Sequence, residues 1–507
     1  MHYPDVRALG RPARRRLVWW FAFLSFASLG AAWVFATPIN AAPDERDHML
    51  RAAAVAQGEL VAKKGAVVRG TGAIVTAPAS FSALMAPAAC FMFSPKRTAD
   101  CAKPPTRPPA GARPQPTGAG RYFPLYYGIV GLPTLTFQWI QGFYLSRLLS
   151  MLVNAALVAS AFSSAALWRR SPLLVTGLYT AVTPMVLFLC GVVNPNSWEI
   201  TSALCVWTSS LALLLARDHA DDSRLLTRIG VAAIVLVCMR SLSPLWLALT
   251  LLLVAVAAFR GRVGEVLRWQ ATTAWVVAVL IVTAVALIWT VQSEALEIGR
   301  MAVPGHLSVP DRIETSLLRV PGRAQEMVGL FGWLDTPAPV LTPLLWCAGV
   351  GAVVLLGLAG AAKLPRAALI AAILLTIVVP IAVEVPGANT FGFAWQGRYA
   401  LPLAVGVPIL GGAAAGVGAT LGARAALGLT AWLTVLLGVA HFAAFWWMLL
   451  RYQVGVGRGL NPLEGSWHPP GGSLLILVVY AVGLLGWGVA ASAAWRLAGN
   501  SAPEPDL

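Results

Sequence analysis

The segment 42–60, "APDERDHMLRAAAVAQGEL", sets Asp44, Glu45 and His48, side chains able to move protons, within a short stretch. If it is helical, Asp44 and Glu45 stand at its N-terminal end, and His48 lies one turn further on the face of Asp44. A carboxylate so placed suits general-base work on a hydroxyl, which needs only hydrogen-bond reach of the proton it takes. The same residues have a plain structural use. Asp44 can cap the helix while Glu45 and Asp47 complement its dipole. Both readings stand on the sequence.

A second group is "FAWQGRYALP", with Gln396, Arg398 and Tyr399 at the entrance of an apolar run. A planar guanidinium beside an amide suits the clamping of a phosphate. Against this, arginine at a span entrance commonly snorkels to headgroups, and tyrosine and tryptophan form interfacial belts. A third group, "RYFPLYYGIVGLP", sets Tyr126 and Tyr127 in a proline-bounded apolar stretch that an aromatic belt explains equally well. Arg240 and Arg147 are the remaining cations near outer span ends, positions where anchors outnumber ligands. "NPNSWEI" reads as a turn and helix start, with Glu199 mostly structural, and "FGWLDTPAP" as an interfacial aromatic turn. No Walker-type phosphate loop, zinc-ligand spacing or nucleophile elbow occurs. ATP-driven chemistry is therefore not expected, and the sequence leaves a divalent cation neither specified nor excluded.

The elements that must position these groups are membrane spans. Of 507 residues, 58% are hydrophobic and only 11% charged, against about 25% charged in a soluble domain. Apolar runs of about 20 residues recur along the chain, each long enough to cross a bilayer. The formal charge of +16 does not form a face for nucleic acid. It recurs at span ends, at Arg14–Arg16, Arg169, Arg170, Arg217, Arg224, Arg228, Arg260, Arg262, Arg268, Lys363, Arg366, Arg424 and Arg496, which is the positive-inside pattern.

With the N-terminus cytoplasmic, the runs predict about ten to twelve transmembrane helices near 17–36, 143–168, 172–193, 200–216, 228–239, 245–259, 271–291, 339–361, 366–385, 399–422, 426–450 and 472–494. The pair meeting at "CMRSLSP" is short enough to be re-entrant or one broken helix. The first run is longer than the apolar core of a signal peptide and is read as a retained helix. The expected organisation is a basic cytoplasmic N-terminus (1–16), a transmembrane domain (17–496) and a cytoplasmic tail (497–507). The first extracytoplasmic loop (37–142) is large. In it, Met49, Ala52, Ala53 and Leu60 predict an amphipathic helix on the membrane surface, and "KPPTRPPAGARPQPTGAG" reads as a linker ordered at best in part. Cys90 and Cys101 share that exported loop about eleven residues apart and are expected to form a disulfide. Cys190, Cys205, Cys238 and Cys347 lie in apolar runs as small hydrophobes.

Taken together and in order, "PDERDHMLRA", the paired cysteines, "FPLYYGIVGLP", "YLSRLLS", "NPNSWEI", "FGWLDTP" and "WQGRYALPL" resemble the bacterial membrane proteins grouped as domain of unknown function 2142. The likeness covers roughly residues 17–450. That family resembles a branch of the GT-C glycosyltransferases, multi-spanning enzymes that use lipid-phosphate sugars at the extracytoplasmic face. The resemblance implies an all-α, GT-C-like fold with surface helices in the first loop. It also implies that Asp44, with Glu45, matches the family's acidic motif, and that the segment around Tyr126 forms a second surface helix. Arg46 and Asp47 depart from the apolar or small residues usual there, which leaves open which carboxylate reacts.

The expected function is transfer of a sugar from a polyprenyl-phosphate donor to a glycan or lipid acceptor at the plasma membrane, with no nucleic-acid partner. Asp44 and Glu45 are the catalytic candidates; Gln396, Arg398, Tyr399, Arg240, Tyr126, Tyr127 and His48 are the binding candidates. The alternatives are a lipid-linked saccharide flippase or an envelope-assembly scaffold. A transporter should carry ionisable residues deep in several spans and an internal repeat. Here the spans are almost free of such residues and no repeat is visible.

Overall fold

The structure, a computed structural model, describes residues 11–65, 72–106, 109–168, 172–215, 219–296 and 305–499. Most of both expected cytoplasmic tails, and Arg169, Arg170 and Arg217, lie outside the described residues.

The chain is a multi-pass, mostly helical membrane protein. Helix α1 (Arg11–Ala36) leads into a long segment holding α2 (Glu45–Ala56), α3 (Ala79–Met85), α4 (Pro124–Val130) and a small sheet. The bundle continues with α5 (Ile140–Leu167), α6 (Leu173–Ala181), α7 (Pro184–Cys190), α8 (Asn196–Leu215), α9 (Asp222–Val237), α10 (Ser243–Ala257), α11 (Val263–Val266) and α12 (Gln270–Gln292). Two surface helices, α13 (Val309–Leu318) and α14 (Val320–Gly329), precede α15 (Leu341–Gly360) and α16 (Lys363–Glu384). The short α17 (Ala388–Phe391) and α18 (Leu401–Ala404) then lead to α19 (Gly406–Val417), α20 (Ala423–Gln453) and α21 (Ser473–Gly499).

Among the described residues, eight helices are long and apolar enough to cross a membrane, or nine if the bent pair α6–α7 is one span. The ten to twelve runs read from sequence include shorter helices. α9 has 16 residues and α10 has 15, and they meet at Arg240. Helix α1 packs between α21 and α5, α5 against α8, and α8 against α9, while α19 packs between α6 and α15.

The run 172–193 is not one straight helix. It bends by 63° between α6 and α7. Pro184 lacks the N–H that would bond the carbonyl of Thr180, and it holds Thr183 extended. Trp346 of α15 donates to that orphaned Thr180 carbonyl at 3.0 Å, and Nε2 of His441 on α20 bonds the Val182 carbonyl at 3.1 Å. In an apolar medium such carbonyls must be satisfied from within the protein.

The segment 37–139 has its own sheet, β1 (Lys63–Lys64), β2 (Ala73–Pro78) and β3 (Ala112–Thr117), antiparallel and in that order. Part of the expected linker is thus strand. Pro114 and Pro116 alternate along an edge, where prolines are tolerated. Helix α2 is not laid on lipid, because nine of its 12 residues are buried in the protein. Leu60 falls beyond its end and is exposed. Cys90 and Cys101 are joined by a disulfide. Arg451, at the end of α20, donates to the carbonyls of Phe91 and Arg97 on that segment. Val456 N–H bonds Pro95 at 2.9 Å, so the loop after α20 lies on the same face as the first segment.

Candidate active site

Asp44 occupies the N-cap position of α2 with φ 60° and ψ 8°, in the left-handed region that aspartate tolerates better than most residues. Its side chain makes no capping bond. It reaches Arg398 instead, whose Nη2 donates to Oδ2 at 2.7 Å. The Asp44 side chain is 48% exposed and that of Arg398 only 1%. Burial pushes the Asp44 carboxyl up, but the Arg398 and Arg240 guanidiniums outweigh it and hold it below its ordinary value.

Glu45 turns the other way. Arg147 grips both its oxygens, Nε to Oε1 at 2.7 Å and Nη2 to Oε2 at 2.7 Å, with both side chains fully buried. The same guanidinium donates to the carbonyls of Val34, Thr37 and Pro38, the loose end of α1. Glu45, the other catalytic candidate, is thus tied into the joint between α1, α2 and α5 and does not line the cavity that Asp44 faces. Arg147 is that joint's centre rather than an interfacial anchor.

Asp44 lines a cavity of about 610 Å³ together with Asp47, His48, Tyr122, Glu199, Arg240, Trp246, Trp333, Glu384, Trp395 and Tyr399. It lies where α2 meets the ends of α8, α10 and α16. The Arg240 guanidinium sits 4.4 Å from the centroid of the Tyr399 ring and 5.6 Å from that of Tyr122. Arg398 lies 5.1 Å from the same Tyr399 ring. One aromatic ring therefore assembles two cations beside one carboxylate. Among the described residues, Nε and Nη1 of the sealed Arg398 have no hydrogen-bond partner. Buried charged donors left unmade are costly unless an acceptor fills them.

Two neighbours of Asp44 are tuned by position. Burial and the charge of Asp44 push Asp47 up to about 6. Burial pushes His48 down to about 3, so it is neutral at pH 7; its Nδ1 is hydrogen-bonded to the Tyr127 hydroxyl at 2.9 Å. Tyr127 and Tyr126 are themselves fully buried, Tyr126 against Ser150 at 3.1 Å, and neither lines the cavity. Their helix, α4, packs on α2 and so braces the Asp44 turn. Gln396 is not on the cavity wall, and its Oε1 has no partner among the described residues. No three His, Cys, Asp or Glu side chains among the described residues stand together as a metal site.

The family model "Predicted membrane protein (DUF2142)" matches residues 27–407, about three quarters of the chain. The chain belongs to this family. The DUF2142 match runs from α1 into α19 and takes in Asp44, Arg240 and Tyr399 with the cavity they line, and Arg398, which is off the wall behind Asp44. No curated protein matches the chain. Among solved structures, ArnT from Cupriavidus metallidurans bound to undecaprenyl phosphate has 14% identity and a TM-score of 0.45, covering 95% of this chain and 77% of that one. The apo state of the same protein has 14% identity and a TM-score of 0.42, covering 92% and 75%.

Asp47, Tyr122, Glu199, Trp246, Trp333, Glu384 and Trp395 are wall residues outside the set expected from sequence. In sequence Glu199 reads as part of a helix start and Trp333 as part of an interfacial turn, and Tyr122, Trp246, Glu384 and Trp395 carry no motif of their own. The available signal was a lone acid at the end of an otherwise apolar run, which a membrane protein rarely keeps without use. Glu384 accepts from Arg323, from Ser316 at 2.9 Å and from Trp395 N–H at 2.8 Å. It thereby hangs the segment carrying Arg398 from the surface helices α13 and α14.

Proposed function

We propose that the protein is an inverting, GT-C-type glycosyltransferase that passes a sugar from a polyprenyl-phosphate donor to a glycan or lipid acceptor of the cell envelope. The site faces the extracytoplasmic side of the plasma membrane, and both termini are cytoplasmic. The observation that carries this reading is the meeting of Asp44 with Arg398, across 2.7 Å, beside a cavity at the ends of the spans. A substrate with its tail in the bilayer and its phosphate at the surface fits such a place.

In the reaction the acceptor oxygen attacks the anomeric carbon. Its proton passes to Asp44, and the bond to the phosphate oxygen breaks, with the electron pair leaving on the polyprenyl phosphate. The attack from the far side inverts the anomeric configuration. Arg398 and Arg240, held on the Tyr399 ring, stabilise the charge that gathers on the departing phosphate. Pairing with Arg398 keeps Asp44 ionised before the substrates arrive. A phosphate that draws Arg398 toward itself leaves that carboxylate a stronger base, so donor binding readies the proton acceptor.

The test is to extract lipid-linked intermediates from cells carrying the gene, lacking it, or carrying Asp44→Asn. The last two should accumulate the same polyprenyl-phosphate sugar. Identical lipid profiles in all three would sink the reading.

A further inference from the structure

Glu199 takes no direct part in the chemistry above, yet it is buried on the cavity wall with both oxygens engaged. Oε2 accepts from Nδ2 of Asn196 at 2.9 Å, and Oε1 accepts from the Ser243 hydroxyl at 2.7 Å. Each donor is thereby oriented. Asn196 must give its NH₂ to the carboxylate, so its Oδ1 faces Arg240, whose Nη1 donates to it at 2.7 Å. Ser243 spends its proton on Glu199, so its lone pair faces the Arg240 backbone N–H at 3.0 Å. The side chain and main chain of Arg240 are thus both held by groups that Glu199 has aligned. Among the described residues, Nε and Nη2 of Arg240 make no hydrogen bond and remain for an anion.

The other end of the same turn grips the chain around Asp44. Val193 N–H donates to Glu45 at 3.1 Å, and Asn194 Nδ2 donates to the carbonyl of Pro43 at 3.2 Å. Asn194 Oδ1 in turn accepts from the Asn196 N–H at 3.0 Å. One seven-residue stretch, 193–199, therefore touches the residues on either side of Asp44 and also Arg240.

We infer that Glu199 is a positioning residue: through Asn196 and Ser243 it fixes the Arg240 guanidinium over Tyr399, and the turn 193–199 sets the place of Arg240 relative to Asp44. This rests on the phosphate role proposed for Arg240.

The experiment is a double-mutant cycle on the full-length protein in nanodiscs, with undecaprenyl phosphate as the probe and inorganic phosphate and undecaprenol as controls. Glu199→Ala and Arg240→Ala should each weaken probe binding by about tenfold or more, as expected for charge-assisted hydrogen bonds. The double variant should bind no worse than Arg240→Ala alone, because Glu199 acts only through Arg240. Undecaprenol binding should not change. If Glu199→Ala does not fold, Asn196→Ala tests the same link with a smaller cut. Losses that multiply in the double variant, or wild-type binding in Glu199→Ala, overturn the inference.

A ligand-free reading separates this from the proposed function. In a cryo-EM structure of Glu199→Ala, or of Asn196→Ala if that variant is used, the Arg240 guanidinium should leave the Tyr399 ring. If it stays, the relay is wrong whatever the activity. If it leaves but wild-type protein binds no undecaprenyl phosphate, the relay stands and the polyprenyl-phosphate reading falls.

Discussion

Nη2 of Arg398 reaches Oδ2 of Asp44 across 2.7 Å, with 354 positions separating the two in sequence. The pair is lopsided: the carboxylate opens to the cavity while the guanidinium is sealed. Substituting one partner is therefore not equivalent to substituting the other.

Asp44→Asn should fold and insert normally, since asparagine tolerates the left-handed backbone and still accepts a bond from Arg398. Sugar transfer should fall by about 10² or more, as for loss of a general base. Thermal unfolding and transfer rate, measured on one preparation, check both halves.

Arg398→Ala should lower transfer and also weaken binding of the lipid phosphate, because the clamp acts on the bound donor as well as on the leaving group. Arg398→Lys should not restore it, since a lysine presents a point charge without the planar fork. Equal donor affinity in all three proteins would remove Arg398 from the site.

Asp47 gives a pH signature. An unfolded chain releases its proton near the ordinary value of 3.8, while the folded site holds it to about 6. Between those values the folded state binds more protons, so Asp47 makes stability fall as pH rises. Asp44 has the opposite sign: its depressed folded value adds stability above 3.8 that is lost as pH falls below it. The melting temperature of Asp47→Asn minus that of wild type should therefore climb from pH 4 to pH 6 and then level off. A flat difference would contradict the burial of Asp47 beside Asp44.

Cys90→Ser should reduce stability by about 2–3 kcal/mol through the lost closure of a short loop. Mass mapping under non-reducing conditions should find Cys90 and Cys101 joined. Recovery of both as alkylatable thiols from native membrane would refute the bridge.

Reporters that work only outside the cell should be active when fused after residue 110 or near 460, and silent near 220 or at the C-terminus. The loops bearing 110 and 460 share a face through Pro95 and Val456. Activity at 220 would invert the orientation proposed for the site.

The span pattern was legible because apolar runs mark it, and Asp44 and Arg398 stood out as charges at the ends of such runs, but their direct contact across 354 positions was not legible in any local pattern. The opposite fates of adjacent carboxylates were not. Asp44 and Glu45 differ only in where their partners lie, and Arg147 is 102 positions from Glu45, outside any local pattern. Glu199 was hidden for another reason. Near a helix start an acid has a sufficient local explanation, and only the approach of Asn196, Ser243 and Arg240 reveals a further one. The α6–α7 bend falls at Pro184, inside a run that reads as one span, and the tryptophan that replaces its missing donor comes from a distant helix.

That bend has a consequence for biogenesis. When the ribosome has made α6 and α7, the carbonyls of Thr180 and Val182 still lack Trp346 and His441, which are synthesised more than 150 residues later. A membrane-inserted segment with unmet carbonyls is unfavourable in hydrocarbon. The hydrogen bonds of that segment are therefore completed only once α15 and α20, which follow it in the chain, have joined it.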